Sequence, residues 1–169
     1  MEELFDIYDA QGNRIGTAPR RECHGNPALI HCTAHVAVRH PVTGALLLQK
    51  RRMDKDIQPG KWDTAVGGHL AYGESILEAV YREASEELGL MNFNPIYIET
   101  YEFESPIERE MVNVFAAVGT YELHPDLDEV DEGRWWELSD IDASIGKGVF
   151  TPNFESEFTM IRSSLLALL

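Results

Sequence analysis

The stretch GHLAYGESILEAVYREASEELGL, residues 68–90, contains the pattern that decides the fold. Glu83, Glu86 and Glu87 have the spacing i, i+3, i+4, which places three carboxylates on one face of a helix. Carboxylates this close repel one another unless a cation binds there, and their oxygens suit a hard divalent ion such as Mg²⁺, which is usually shared with substrate phosphates. The alternative is an ordinary solvated acidic face. The whole stretch favours metal-dependent phosphate chemistry.

The same residues predict the limits of the helix. Ser75 and Glu78 form a capping-box signature at its start, and Gly89 is placed to end it in a left-handed cap. Arg82 lies four residues from both Glu78 and Glu86, so it can pair with either carboxylate. The apolar residues that recur at helical spacing, and are expected to pack on a sheet, are Leu77, Val80, Tyr81, Ala84 and Leu88.

Residues 68–90 resemble the Nudix box, GX5EX7REUXEEXGU, in which U is an aliphatic residue, and every fixed position is matched. The resemblance implies an α/β class fold, a Nudix-type α/β/α sandwich around a mixed β-sheet. It also implies hydrolysis of a diphosphate linked to another moiety, with Mg²⁺ or Mn²⁺ as the cofactor. Carried over by position, the metal ligands would be Glu83, Glu86, Glu87 and the carbonyl of Gly68. Arg82 and Glu74 would orient these carboxylates.

Composition favours one domain spanning residues 1–169. A formal charge of −15 argues against a nucleic-acid polymer or an anionic membrane as partner, but a bound cation leaves room for a small anionic substrate. No apolar run is long enough to cross a bilayer and the first residues are acidic, so a cytoplasmic location is expected. Cys23 and Cys32 are the only cysteines, which makes a disulfide framework or thiolate zinc site improbable.

Hydrophobic patterning along the chain predicts strands on both sides of the acidic helix. An N-terminal hairpin is expected at residues 4–9 and 14–17. Further strands are expected at 30–39, 45–49, 62–66, 94–103, 110–121 and 134–138, and a closing helix at 153–169. Strands that flank two helices at separate positions are typical of a three-layer arrangement. If Trp135 and Trp136 share a strand, their side chains must point to opposite faces.

A second set of residues resembles isopentenyl diphosphate isomerase and its Nudix relatives, over about residues 21–115. In those isomerases three histidines and two glutamates bind one divalent metal. The positions that match this set are His24, His31, His69, Glu108 and Glu110. Imidazoles combined with carboxylates suit Mn²⁺, Zn²⁺ or Fe²⁺ better than Mg²⁺. The alternative is that each histidine is an ordinary loop or strand residue.

Two departures from the isomerases weigh against isomerisation. The cysteine that serves in their chemistry aligns with Gly67, and the acidic box that isomerases tend to lose is complete here. Hydrolysis of a phosphoric anhydride bond is therefore the preferred prediction. An isomerase is the second hypothesis, and a non-catalytic sensor of a phosphorylated ligand is the third.

The proton acceptor and the substrate stay open at this point. Glu86, Glu87, Glu108 and Glu110 are all candidates for the carboxylate that removes a proton from water. Basic residues before the box are candidates for contacts with substrate phosphates: Arg51, Arg52 and Lys61. A nucleoside diphosphate or a derivative is the first choice of small-molecule substrate, and a prenyl diphosphate the second. Many Nudix proteins pair, so a homodimer is compatible with the resemblance.

Overall fold

The fold is a mixed sheet with helices on both faces, seen in a computed structural model that describes residues 2–55 and 58–168. Its strands are β1 (Leu4–Tyr8), β2 (Arg14–Pro19), β3 (Ile30–Arg39), β4 (Leu46–Arg51), β5 (Trp62–Thr64), β6 (Val66–His69), β7 (Ile96–Glu104), β8 (Arg109–Val118) and β9 (Val130–Trp136). The helices are α1 (Arg20–Cys23), α2 (Ile76–Leu88), α3 (Leu138–Ser144) and α4 (Pro152–Leu166). The predicted α/β/α sandwich is confirmed.

Strand β3 organises the sheet because it pairs with four other strands. It runs parallel to β8 along its whole length, from Ile30 opposite Arg109 to Arg39 opposite Val118. It runs antiparallel to β6, where His35 lies opposite Gly67, and also pairs with β1 and β4. Strand β7 extends the sheet beyond β8, and β9 pairs with β4. Both parallel and antiparallel pairs are therefore present.

Alternating side chains along the strands form an apolar layer on each face of the sheet. Cys32, Ala34, Val36 and Val38 of β3 pack with Val80, Ala84 and Leu88 of α2 on one face. On the other face, Leu46 and Leu48 of β4 pack with Phe154, Phe158 and Ile161 of α4. Trp135 belongs to the first layer and Trp136 to the second, which confirms that the two indoles point to opposite faces.

Several sequence-based details differ from the structure. Helices α1 and α3 are not predicted from the sequence, and they are only four and seven residues long. Strand β9 begins four residues earlier than predicted. The apolar stripe of α2 is also displaced: Leu77 and Tyr81 are 49% and 44% exposed, and Ala79 is buried in their place. Helix α4 ends at Leu166, and Leu169 lies outside the described residues.

Within the described residues, the helices are too short or too polar to span a membrane.

Candidate functional site

Helix α2 presents its carboxylates to the sheet because both of its ends are held. Ser75 Oγ accepts a hydrogen bond from the Glu78 backbone N–H, and the Glu78 carboxylate accepts one from the Ser75 N–H, each at 3.1 Å. Gly89 closes the helix with φ of 62°, the left-handed conformation predicted for it. The buried side of α2 packs on the sheet, and this fixes which glutamates lie beside β6.

Glu83 lies directly over the backbone of Gly68. A Cβ atom at residue 68 would come within 2.2 Å of the Glu83 carboxyl carbon, so this approach requires glycine. The Gly68 carbonyl, the predicted further metal ligand, therefore belongs to the strand segment on which Glu83 rests. Burial raises the pKa of Glu83, an effect that a bound cation would offset.

Glu87 is held against the sheet one helical turn further along α2. Its Oε2 accepts hydrogen bonds from the Gly67 N–H and from the Gln49 side-chain amide, both at 3.1 Å. Burial, reinforced by the charge of Glu83, raises the pKa of Glu87 to about 8. A buried carboxylate with so high a pKa fits a site that a divalent cation completes, because the cation supplies the missing positive charge.

Arg82 connects the carboxylates of the box. Its guanidinium donates to Glu74 Oε2 at 2.7 Å and Oε1 at 2.9 Å, and to the His69 carbonyl at 3.0 Å. One terminal nitrogen also donates to Glu83 at 2.8 Å and to Glu86 at 3.1 Å. Hydrogen bonding to Arg82 lowers the pKa of Glu74. Arg82 thus links Glu74 to Glu83 and Glu86 through hydrogen bonds.

Glu83, Glu86 and Glu87 are called the box carboxylates below. Glu86 is the least constrained of the three. Its side chain is 58% exposed, and its hydrogen bond in the described part of the chain is the one from Arg82. Among the described residues, groups of three or more potential ligands with donor atoms within 4.8 Å of one another involve histidines with Glu108 and Glu110. They do not involve the box carboxylates. Glu83 and Glu87 are the two that face the sheet.

The five residues that the isomerase resemblance singled out meet at one place, and they are called the His/Glu cluster below. The three histidines His24, His31 and His69 have ligand atoms within 4.8 Å of one another, and His31 makes a second such group with Glu108 and Glu110. His31 and Glu110 are register partners on β3 and β8. Glu108 Oε2 lies 3.3 Å from His24 Nε2, and Glu110 Oε1 lies 3.7 Å from His31 Nε2.

The ring nitrogens of the cluster have the character of metal ligands. His24 Nε2 and both nitrogens of His31 are buried and make no hydrogen bond within the described residues. Burial and the neighbouring positive groups lower the pKa of His31 to about 4 and that of His69 to about 3, so both imidazoles are neutral at pH 7. Phe5 stacks on both rings, with centroids 5.3 and 5.0 Å away. Unpaired neutral imidazoles beside carboxylates fit a divalent transition metal.

A cleft of about 530 Å³ joins the two sets of acidic residues. Gly68, Arg82, Glu83 and Glu87 line one wall, and His69 and Glu110 connect it to the His/Glu cluster. The cations that line the cleft are Arg20, Arg51, Lys55 and Arg82. Such a cleft is large enough for a small molecule and carries both signs of charge, as a phosphorylated ligand with its metal requires.

Only one of the three residues predicted to contact substrate phosphates lines the cleft. Arg51 lines the cleft, whereas Arg52 and Lys61 are not among its lining residues. Arg52 instead donates two hydrogen bonds of 2.9 Å to Asp54. Lys55, which adjoins them in sequence, does line the cleft and lies 3.8 Å from Glu129.

The cleft also contains a polar group that the sequence did not predict, made by His35, Tyr101 and Glu157. His35 is the one histidine of β3 that has no counterpart in the isomerase-like set, and Glu157 interrupts the apolar side of α4. That charged residue at a buried helix position was the available signal. The partners are 122 residues apart in the chain, so spacing could not have joined them.

The fold and the cleft define a class, the α/β/α proteins whose acidic helix flanks a cleft lined by residues of both charges. Residues 31–154 match the family model described as NUDIX domain. The chain therefore belongs to the Nudix family, and it is a hydrolase acting on pyrophosphate bonds.

Proteins similar in sequence to this chain include a Nudix hydrolase and isopentenyl-diphosphate isomerases. An uncharacterized Nudix hydrolase of Yersinia pestis is 34% identical over 153 residues, covering 89% of this chain and 81% of that protein. An isopentenyl-diphosphate Delta-isomerase of Escherichia coli is 35% identical over 141 residues, covering 80% and 77%. Among solved structures, DR0079 from Deinococcus radiodurans superposes with a TM-score of 0.79 at 20% identity, covering 94% of this chain and 98% of that one.

Proposed function

We propose that this chain hydrolyses a diphosphate linkage in a nucleoside diphosphate or a related derivative, with Mg²⁺ or Mn²⁺ as cofactor. One observation carries the proposal: Glu83 and Glu87 line the same cleft as Arg51 and Lys55. The carboxylates provide ligands for a metal, and the cations provide contacts for the phosphate groups that share it.

The residues proposed to hold the metal are Glu83, Glu86 and Glu87, with the Gly68 carbonyl. A divalent ion bound there supplies charge neutralisation at the diphosphate and lowers the pKa of water. Arg82 and Glu74 orient the carboxylates through their hydrogen bonds, so that the geometry is prepared before substrate binds. Arg51 binds distal phosphate oxygens. Arg52 and Lys61 are left as weaker candidates for that contact.

Glu110 is the proposed proton acceptor, ahead of Glu86 and Glu87. It lines the cleft but lies outside the box, so the proposed box ligation leaves it free to take a proton. Burial and the adjacent Glu108 raise the pKa of Glu110, which makes its carboxylate more basic than an exposed one. We also propose a second site for Mn²⁺, Zn²⁺ or Fe²⁺, formed by His24, His31, His69, Glu108 and Glu110.

An isopentenyl diphosphate isomerase is the second candidate, because the His/Glu cluster assembles and named isomerases are among the relatives. Gly67 weighs against it, since glycine offers no acid or base where those isomerases carry a cysteine. A sensor that binds without turnover is the third candidate, and the complete box weighs against it.

The deciding experiment is a substrate panel with Mg²⁺ or Mn²⁺, made up of nucleoside diphosphates, nucleoside diphosphate sugars, dinucleotides and isopentenyl diphosphate. Release of phosphate or a nucleoside monophosphate supports the proposal. Conversion of isopentenyl to dimethylallyl diphosphate supports the isomerase, and tight binding without turnover supports the sensor.

The Glu87→Gln variant tests the role of the box in that reaction. We expect turnover of the hydrolysed substrate to fall about a hundredfold or more at saturating Mg²⁺, with the far-UV CD spectrum unchanged. Glu122→Gln is the matched control, because that glutamate is 87% exposed and does not line the cleft. Near-normal turnover in folded Glu87→Gln protein would reject the assignment.

We further propose that residues 1–169 form one domain with a small-molecule diphosphate as ligand, without a nucleic-acid polymer or a membrane as partner. We also propose that the protein is located in the cytoplasm and forms a homodimer. Gel filtration with light scattering measures the assembly.

A further inference from the structure

A hydrogen-bonded group at the cleft takes no part in the hydrolysis proposed above. His35 of β3 lies beside Glu157 of α4, with Nδ1 at 2.7 Å from Glu157 Oε1. The Tyr101 hydroxyl of β7 donates to the same oxygen at 2.8 Å. All three residues line the cleft. Three elements that are distant in sequence therefore converge on one carboxylate oxygen.

The charges within this group are balanced internally. Glu157 is 3% exposed, and although burial opposes its ionisation, the charge and hydrogen bond of His35 lower its pKa. Burial likewise opposes protonation of His35, yet Glu157 raises the pKa of the imidazole to about 9. At pH 7 the pair is an imidazolium and a carboxylate. It presents a strong donor to the cleft with almost no net charge.

The free side of the His35 ring faces the cleft. Since Nδ1 is taken by Glu157, Nε2 is the remaining donor, and it makes no hydrogen bond to any residue that the structure describes. The side chain is 21% exposed. An unused ring nitrogen at a cleft wall differs from the buried nitrogens of His31, because solvent or a ligand can reach it.

Gly67 is what allows the ring to stand there. A Cβ atom at residue 67 would come within 3.1 Å of His35 Cδ2 and 3.3 Å of Nε2, closer than ordinary contacts. Gly67, which stands where the isomerases carry a cysteine, thus makes space for His35. It directly precedes Gly68, whose carbonyl is a proposed metal ligand. The His35 imidazole therefore lies directly beside the backbone of Gly67.

We propose that His35 Nε2 donates a hydrogen bond to a neutral oxygen, a hydroxyl or carbonyl, on the organic moiety of the substrate. His35 is then a specificity-determining residue that selects diphosphates of nucleosides or sugars over those of hydrocarbon chains. Glu157 and Tyr101 position its ring. This inference rests on the proposed function and names the class of substrate for the same cleft.

Two physical arguments support this choice of ligand. A phosphate oxygen gains little from an imidazolium whose charge Glu157 already neutralises. A hydrocarbon chain would remove water from Nε2 and give no acceptor in exchange. A site built to hydrogen-bond a substrate rejects an analogue that lacks the matching group, because its own donor is left unpaired.

Two variants distinguish the roles of Nδ1 and Nε2 of His35. In His35→Asn the amide can replace Nδ1 and keep the bond to Glu157, while the donor facing the cleft is lost. In His35→Gln the longer side chain carries an amide to the Nε2 position. The probes are α,β-methylene-ADP, which has a ribose and base, and methylenediphosphonate, which has neither. Calorimetry on the full chain with saturating Mg²⁺ measures their Kd values.

We expect His35→Asn to weaken α,β-methylene-ADP binding about tenfold or more, and to change methylenediphosphonate binding less than about twofold. His35→Gln should keep most of the affinity for α,β-methylene-ADP. A purely structural role for His35 would affect both probes alike and lower the thermal midpoint. Equal effects on the two probes, or no effect on either, would overturn the inference.

Failure of this inference can be told from failure of the proposed function. If the wild-type chain hydrolyses nucleoside diphosphates while His35→Asn leaves both Kd values unchanged, only the role of His35 is wrong. If the wild-type chain hydrolyses no diphosphate, the proposed function fails. Wild-type affinity for isopentenyl diphosphate equal to that for α,β-methylene-ADP would also overturn the inference, because selection against hydrocarbon would be absent.

Discussion

Glu87 shows at the scale of one residue how a function imposes a cost on folding. Its carboxyl is enclosed between α2 and the sheet and accepts only two hydrogen bonds from described residues, from Gly67 and Gln49. Without a metal, ionising it leaves a buried charge that these two neutral donors do not balance. The surroundings of Glu87 therefore suit a side chain that binds a metal better than one that stabilises the fold.

The pKa of Glu87 gives a pH-dependent prediction for the metal-free protein. The carboxyl titrates near 4.5 in the unfolded chain and near 8 in the folded one. Between these values the folded state binds more protons, so stability falls as pH rises through this interval. In EDTA, Glu87→Gln should therefore raise the thermal midpoint by about 3 °C or more at pH 8.5, with little gain at pH 4.5.

Differential scanning calorimetry at both pH values measures this gain, and Glu122→Gln provides the exposed control. Adding Mg²⁺ or Mn²⁺ should remove the advantage, because only the wild-type carboxylate gains from the ion. A Glu87→Gln protein that is less stable than wild type at pH 8.5 in EDTA would contradict the prediction.

At the scale of elements, the close approach of α2 to β6 brings Glu83 and Glu87 to the cleft. Both ends of α2 were predictable because the capping residues are neighbours in sequence. Its buried face was predicted less well: Ala79 packs inward, whereas Tyr81 turns to Phe93, with ring centroids 5.1 Å apart. Apolar residues outnumber the positions that the sheet can cover, and only the packing shows which are used.

Gly68→Ala tests this contact between elements. The added methyl group would collide with the Glu83 carboxyl group, which must then move away from the Gly68 carbonyl. We expect Mn²⁺ affinity to fall about tenfold or more, as for other changes that displace a metal ligand. Isothermal calorimetry or the EPR signal of free Mn²⁺ measures the loss.

Gly16→Ala is the control for that substitution, because a Cβ there meets nothing within 4 Å. It should leave Mn²⁺ affinity unchanged. Equal affinity of the Gly68→Ala and wild-type proteins would show that Glu83 and the Gly68 carbonyl do not act together on a metal.

At the scale of the whole molecule, one sheet carries an apolar layer on each face. Strand β3 contributes Val36 and Val38 to the α2 side and Ala37 to the α4 side. Since the two layers share their strands, loss of one exposes the other. We expect a single cooperative unfolding transition, which is also what the proposal of one domain requires.

Urea titration followed by far-UV CD and by tryptophan fluorescence tests this expectation. Trp135 reports on the α2 side, and Trp62 and Trp136 report on the α4 side. The two midpoints should coincide in the wild type. They should also coincide in Trp135→Phe, where the remaining signal comes from one layer. Separate midpoints would indicate two folding units.

The His/Glu cluster shows what a sequence pattern can predict about a site and what it cannot. The isomerase resemblance selected its five positions, and the structure brings all five together. The sequence could not supply the reason, which is the pairing of β3 with β8 and with β6. The choice among Arg51, Arg52 and Lys61 likewise depended on backbone direction, and only Arg51 faces the cleft.

The sequence by itself determined the α/β class, the acidic helix with its caps and the spacing of its carboxylates. The α/β class is what the Nudix resemblance implies. The helix, its caps and its carboxylate spacing are local properties, because helical periodicity relates residues three or four positions apart. Tertiary structure alone decided that His35 meets Glu157, that Gly67 leaves space for the ring, and that Glu83 rests on Gly68. These contacts join segments that only strand register and helix packing bring together, and no spacing along the chain encodes them.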